Sequence, residues 1–233
     1  MGSSERQIDK KSITKVNEYL EEHDIKMARQ RYTRSSVRVL LQDNITDNDL
    51  REKYLKLYDD NPFFSECPAG AIHHHTDVGG LELHCREMIG MGLDLLQLYP
   101  GDFSNKVTPQ DIVIAVFIHD FAKIWNYRFI TGDDRAGNKK FKDGQTFTYT
   151  DNQPYAIIDP ETKTLLTLAR YGICPTDQQV SALYFCEGGF AKAHFAFGGP
   201  SPTSTTVNKR CTLTALMIIL DQYSSQILGN SLV

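Results

Sequence analysis

The chain has 233 residues, of which 41% are hydrophobic and 23% charged, and its formal net charge is −4. These values are typical of one folded globular protein, and they exclude a fibrous repeat and a wholly disordered chain. The five cysteines are scattered without a CxxC pair, so neither a disulfide framework nor a thiolate zinc site is expected. The longest apolar runs are too short to cross a bilayer and no signal peptide is visible, so we expect a cytoplasmic protein without a membrane partner.

The first sixty residues are predicted to be helical. Apolar residues recur at helical spacing over residues 5–22, and a second helix is predicted over about residues 46–58. We interpret residues 1–60 as a helical arm packed on a core domain that spans residues 61–233.

Three predicted core helices each carry a group that can bind a metal. The helix that begins near residue 81 places His84 on its apolar face, and the run IVIAVFIHDFAK ends in His119 and Asp120. The last apolar helix, LTALMIILDQ, carries Asp221. The spacing therefore directs two imidazoles and two carboxylates toward the core.

The run IVIAVFI is β-branched enough to be a strand, but the residues before it favour a helix. Thr108 is a good N-cap, Pro109 suits the first helical position, and Asp111 follows three residues after the cap. We predict a buried helix that ends near His119.

Buried carboxylates without partners are costly, so the two aspartates need a cation or a network of hydrogen-bond donors. A mixed set of imidazole nitrogens and carboxylate oxygens suits Mn, Fe, Zn, Co or Mg. A lone histidine in a core is often only hydrogen-bonded, and a lone aspartate is often a cap or an interface residue. Spacing alone leaves both interpretations open.

Residues of about 126–160 differ in character from the flanking helices. Phe141, Phe147 and Tyr149 lie near period-two spacing about an Asp-Gly turn, which predicts a small β-hairpin. Helical spacing returns afterwards in ETKTLLTLARYGI and DQQVSALYFCEGG. The predicted fold class is therefore all-α with a small β-hairpin insertion.

Several segments resemble the HD-domain superfamily of metal-dependent phosphohydrolases. GGLELHCREMI is similar to its first-histidine helix, IVIAVFIHDFAK to its His-Asp helix, and LTALMIILDQ to its final-aspartate helix. The stretch PFFSECPAGAIHHHTDVGG resembles the entry loop of a subset that includes bacterial 3'-to-5' exoribonucleases and phage and bacterial hydrolases of unassigned substrate. Together these segments span residues 61–225.

This resemblance implies an HD helical bundle that holds one divalent metal ion, which would be Mn, Fe, Zn, Co or Mg. It implies His84, His119, Asp120 and Asp221 as the metal ligands. It also places Lys123 beside a phosphate, a role that suits a compact ammonium charge.

The histidine triplet at residues 73–75 would place its last two members at the mouth of the pocket, where they could donate to a phosphate or transfer a proton. The expected catalytic residues are therefore Lys123, His74, His75 and Asp120. The expected substrate-binding residues are Lys123, Arg128 and His74.

Many relatives carry two further histidines that hold a second metal ion. The matching positions here are Asp159 and Cys186, and Glu187 is the neighbour that could also bind. Because neither position is a histidine, we expect one metal ion, with these residues as remnants of a second site.

We expect a phosphohydrolase that cleaves a phosphate ester of a nucleotide, either a mono- or a triphosphate. One alternative is a 3'-to-5' exonuclease on single-stranded nucleic acid, since Arg31, Arg34 and Arg38 recur at helical spacing and could follow a phosphate backbone or simply face solvent. Another is a degenerate HD fold that binds a nucleotide or a protein. Nucleic acid is thus a second candidate partner, and self-association stays open.

Overall fold

The structure is a computed structural model. It describes residues 32, 34–70, 74–103, 106–137, 141, 144–150, 158–186 and 211–229. The helix predicted over residues 5–22 lies outside the described residues.

The described residues are mostly helical. The elements before the hairpin are α1 (Val37–Asn44), α2 (Asn48–Asp59), a 3-10 helix (Pro62–Ser65), α3 (Gly80–Leu98), α4 (Pro100–Phe103), α5 (Pro109–His119) and α6 (Lys123–Asn126). The later elements are β1 (Tyr127–Phe129), α7 (Gly132–Ala136), β2 (Phe147–Tyr149), α8 (Pro160–Arg170), α9 (Asp177–Phe185), α10 (Thr212–Gln222) and a π-helical segment (Tyr223–Leu228).

Helix α5 is the centre of the structure. Every residue from Ile112 to His119 is buried, because α1, α3, α9 and α10 all contact this helix. Thr108 and Asp111 form a capping box at its start, with Pro109 in the first turn. The prediction of a buried helix that ends near His119 is confirmed.

The described part of the N-terminal region shares the core of the rest of the chain. Val37 and Leu41 of α1 and Leu57 of α2 are buried in the same apolar cluster as side chains of α3, α5 and α10. Helix α2 begins at an N-cap, Asp47, whose carboxylate accepts a hydrogen bond from the backbone N–H of Leu50.

The predicted hairpin insertion is present as a two-stranded antiparallel sheet. Tyr127 of β1 lies opposite Tyr149 of β2, and Phe129 lies opposite Phe147. Phe63 of the 3-10 helix packs edge-on against the rings of Phe129 and Phe147. The sheet therefore packs against the 3-10 helix, which precedes the loop that leads into α3.

The strands are not those suggested by the Asp-Gly turn. Phe141 lies outside both strands, and helix α7 stands between them. The reason is local, since Thr131 and Asp134 form a capping box that starts a helical turn soon after β1.

In the part of the chain that the structure describes, no helix combines the length and the apolar character that crossing a lipid bilayer requires.

Candidate metal centre

The four side chains predicted to bind the metal ion converge at the end of α5. His84 Nε2 lies 3.3 Å from His119 Nε2 and 3.3 Å from Asp221 Oδ1. Asp120 Oδ2 lies 3.3 Å from His119 Nε2 and 3.8 Å from His84 Nε2. The structure thus brings together residues from α3, α5, the turn after α5 and α10.

Helix ends create this arrangement. Helix α5 ends at His119, and Asp120 leaves the helical conformation with φ −112° and ψ 10°, so both side chains can point toward α3. Asp221 lies in the last turn of α10, just before the chain widens into the π-helical segment. Short π-helical segments within helices are frequently found at functional sites.

Both imidazoles present Nε2 to the cluster. His119 Nδ1 lies 2.6 Å from the carbonyl oxygen of Val116, and His84 Nδ1 lies 2.9 Å from the hydroxyl of Ser224. A carbonyl oxygen only accepts, so His119 carries its proton on Nδ1 when neutral and its Nε2 has a free lone pair.

The separations fit a single divalent ion. Two ligand atoms that each lie about 2.1 Å from one ion are about 3.0 to 3.4 Å apart. In the cluster of His84, His119 and Asp120, two of the three separations have this spacing, at 3.3 Å, and the third, between His84 and Asp120, is 3.8 Å. Its nitrogen and oxygen donors suit first-row divalent metals. The residues present therefore fit the group that the sequence resemblance implies.

The charges of the cluster favour a cation. Burial acts to raise the pKa of Asp120, but Lys123 and His119 hold this pKa well below its ordinary value. Burial likewise opposes ionisation of Asp221, yet its pKa is lowered by His84. Two ionised carboxylates thus share a largely buried space.

The two imidazoles differ in their response to this environment. Burial lowers the pKa of His84, which therefore stays neutral near pH 7. Burial acts in the same direction on His119, but Asp120 outweighs it and raises the pKa of His119. A cluster that raises the pKa of one of its own rings attracts positive charge.

Lys123 lies at the edge of the cluster. Its Nζ is 2.5 Å from Asp120 Oδ2, and its side chain is 24% exposed. Burial acts to lower the pKa of Lys123, but Asp120 raises it, so the ammonium is charged. The predicted phosphate-binding lysine is therefore next to the candidate metal ligands.

The loop histidines lie on the other side of His84. The ring of His74 is centred 5.4 Å from the ring of His84, and burial, followed by the nearby His84, lowers the pKa of His74 to about 4. His75 is buried rather than at the mouth of the pocket, and its Nε2 lies 2.9 Å from Glu87 Oε2. His73 lies outside the described residues.

Arg128 has a partner away from the cluster. Its guanidinium forms two hydrogen bonds with Asp134, at 2.6 and 2.8 Å. This ion pair joins β1 to α7, and the structure assigns Arg128 a contact within the insertion.

The predicted remnants of a second metal site also have other contacts. Asp159 is the N-cap of α8, where its carboxylate accepts hydrogen bonds from the backbone N–H and the hydroxyl of Thr162. Cys186 is buried, and its thiol donates to the carbonyl of Leu183. Glu187 lies outside the described residues.

Sequence reasoning missed two residues that contact the candidate ligands or their neighbours. Ser224 contacts His84, and Glu87 contacts Ser224 and His75. A signal was present, because Glu87 lies three residues after His84 and Ser224 lies three residues after Asp221, which is the spacing of neighbours on one helix face.

No protein-family model matches the chain, and neither the curated proteins nor the solved structures include one that is similar to it. A function therefore has to be inferred from the geometry of the cluster.

Proposed function

We propose that this protein is an HD-type, metal-dependent phosphohydrolase that cleaves a phosphate ester of a nucleotide mono- or triphosphate. The observation that carries the proposal is the convergence of His84, His119 and Asp120, with separations of 3.3 to 3.8 Å, beside Asp221, which lies 3.3 Å from His84. The helical fold with a small inserted sheet is consistent with an HD bundle, and the fit of the donor atoms supports one metal ion.

The four side chains would hold the ion with two neutral imidazole nitrogens and two carboxylate oxygens. When bound, a divalent ion supplies Lewis acidity toward a phosphate oxygen and makes ionised water available near neutral pH. The buried side of the cluster keeps bulk water away from His84 and His119, whose side chains are 0% and 2% exposed. Asp120 and Asp221, each 18% exposed, face the open side.

Lys123 is proposed to bind the phosphate. An ammonium has three N–H donors, and the contact with Asp120 uses one of them. The remaining donors are available to equatorial phosphate oxygens, whose developing charge they would stabilise. Because Asp120 keeps Lys123 charged and in place, the lysine needs no rearrangement to take this role.

A small nucleotide is favoured over a polynucleotide. Of the three arginines that suggested a track for a phosphate backbone, Arg38 forms a bidentate ion pair with Asp59 at 2.8 and 2.9 Å, and Arg31 lies outside the described residues. Arg34 is exposed. The net charge of −4 also gives no general attraction to nucleic acid.

The test is a screen of phosphate release from nucleoside mono- and triphosphates and from single-stranded oligonucleotides, with Mn, Co, Mg, Zn and Ni. We expect turnover of a nucleotide that is lost in Asp120→Asn and retained in Asp59→Asn, a matched change on an exposed surface. Shortening of oligonucleotides that falls steeply with added salt would instead favour the exonuclease. Tight nucleotide binding without turnover in any metal would favour the binding module.

A further inference from the structure

A buried carboxylate on α3 connects His84 to the loop that precedes this helix. The side chain of Glu87 is 0% exposed, and its Oε2 accepts a hydrogen bond from the hydroxyl of Ser224 at 2.7 Å. The same oxygen lies 2.9 Å from His75 Nε2, and the Ser224 hydroxyl lies 2.9 Å from His84 Nδ1.

The direction of these hydrogen bonds determines where His84 carries its proton. Ser224 has one hydroxyl proton, and it donates this proton to Glu87. Toward His84 the hydroxyl oxygen can then only accept, so this hydrogen bond requires His84 to donate through Nδ1–H. It opposes Asp221, whose Oδ1 lies 3.3 Å from Nε2 and favours a proton there in the absence of a metal ion. A neutral imidazole with its proton on Nδ1 has its lone pair on Nε2.

This lone pair faces the candidate metal centre. His84 Nε2 is the atom that lies 3.3 Å from both His119 Nε2 and Asp221 Oδ1. If the proton were on Nε2 instead, the ring could not bind a metal ion from this position, because a metal needs the lone pair.

We propose that Glu87 is a positioning residue for the metal centre, which acts through Ser224 to fix His84 in its Nδ1–H tautomer. This inference rests on the proposed metal site. Partners outside the ligand sphere commonly orient metal-binding histidines in this way, and their loss weakens metal binding about 10- to 100-fold.

Glu87 also holds the histidine loop against the same helix. His75 has a left-handed backbone with φ 46°, and its carbonyl lies so close to the start of α3 that a Cβ on Gly80 would be 1.9 Å from it. A Cβ on Gly229 would be 2.7 Å from the Cβ of His74. The loop is thus packed between two helix ends, with the contact between His75 and Glu87 directly beneath it.

The same helix offers a matched control. Glu82 is also a buried carboxylate of α3, but it accepts hydrogen bonds from the backbone N–H of Val37 at 2.7 Å and the hydroxyl of Tyr58 at 3.2 Å. These contacts lead to α1 and α2, away from Ser224. Changing Glu82 therefore removes a buried carboxylate without altering the partner of His84.

The test measures the tautomer of His84 by ¹⁵N NMR of histidine-labelled full-length protein without metal. We expect the Nδ1–H form in the wild type and in Glu82→Met. In Glu87→Met the Ser224 hydroxyl loses its acceptor and can donate to His84 Nδ1, so the Nε2–H form should appear. Ser224→Ala removes the acceptor of Nδ1–H and should also give a mixture, which decides the question if Glu87→Met does not fold.

A Co²⁺ titration followed by visible absorption gives a second result. Glu87→Met and Ser224→Ala should bind Co²⁺ about 10- to 100-fold more weakly than the wild type, and Glu82→Met should stay within about twofold. Wild-type His84 with its proton on Nε2, or unchanged His84 signals and Co²⁺ affinity in both variants, would overturn the role of Glu87. A wild type with the Nδ1–H form that binds no Co²⁺ would overturn the metal site itself.

Discussion

Phe117 and His119, in the last turn of helix α5, are both buried, but their surroundings differ completely. Near Phe117 the helix packs against aromatic rings of Tyr54, Phe64 and Phe121 at centroid distances of 5.1 to 6.2 Å. At His119 and Asp120 it meets imidazoles and ionised carboxylates. Burial of apolar surface stabilises a fold without any ligand, whereas buried charge costs free energy until it is paired. The aromatic cluster around Phe117 therefore supports the structure, and the pair of His119 and Asp120 is prepared for a cation.

The largest effect on stability is expected in the aromatic cluster around Phe117. Phe117→Ala should lower the free energy of unfolding by about 3 to 5 kcal/mol, because it leaves a cavity in a fully packed site. Denaturant unfolding in the presence of a chelator measures this loss without any contribution from metal.

Phe129→Ala is the control for this change, because Phe129 is a phenylalanine with 40% of its surface exposed. Phe129→Ala should lower the free energy of unfolding clearly less than Phe117→Ala does. Equal losses in the two variants would contradict the assignment of the structural role to the aromatic cluster around Phe117.

A smaller effect per pH unit is expected from the buried thiol of Cys67, because the apolar core also excludes charge. Burial raises the pKa of the Cys67 thiol to about 12, from an ordinary value of 9.0. Between these values the unfolded chain has lost the proton and the folded chain has kept it, so the folded state loses stability as the pH rises. One such proton contributes a slope of up to about 1.4 kcal/mol per pH unit.

As the pH rises above 9, the free energy of unfolding of Cys67→Ala should therefore fall less than that of the wild type. Denaturant unfolding at several pH values measures this difference. Val107→Ala is a matched control, since it truncates a buried side chain without removing a titratable group. Parallel curves for the wild type and Cys67→Ala would show that the thiol does not report on this region.

The parts of the fold that depend on neighbours in sequence could be predicted. Thr108, Pro109 and Asp111 identify α5 because helix caps act over a single turn. The helical character of residues 160–170 and 177–185 followed from spacing in the same way. The candidate ligands were found because polar groups on apolar helices are costly and need a reason.

Other features depend on contacts that are distant in sequence. Ser224 and Glu87 are 137 residues apart, and no local pattern indicates that they meet. The strands of the hairpin are three residues each, which is too short for a period-two pattern to identify β1 beside the cap of α7. Asp159 matched a ligand position by order alone, while its immediate neighbours make it a helix cap.

The most direct test of the central claim is a calorimetric titration of the metal-free protein with Mn²⁺ and Zn²⁺, accompanied by measurement of metal content. We predict one ion per chain in the wild type and in Asp59→Asn. Asp221→Asn removes a proposed ligand and should weaken metal binding by about 100-fold or more. The loss of a ligand should cost at least as much affinity as the loss of a residue that only orients a ligand. Equal affinity in the wild type and Asp221→Asn, or no stoichiometric binding in the wild type, would contradict the account.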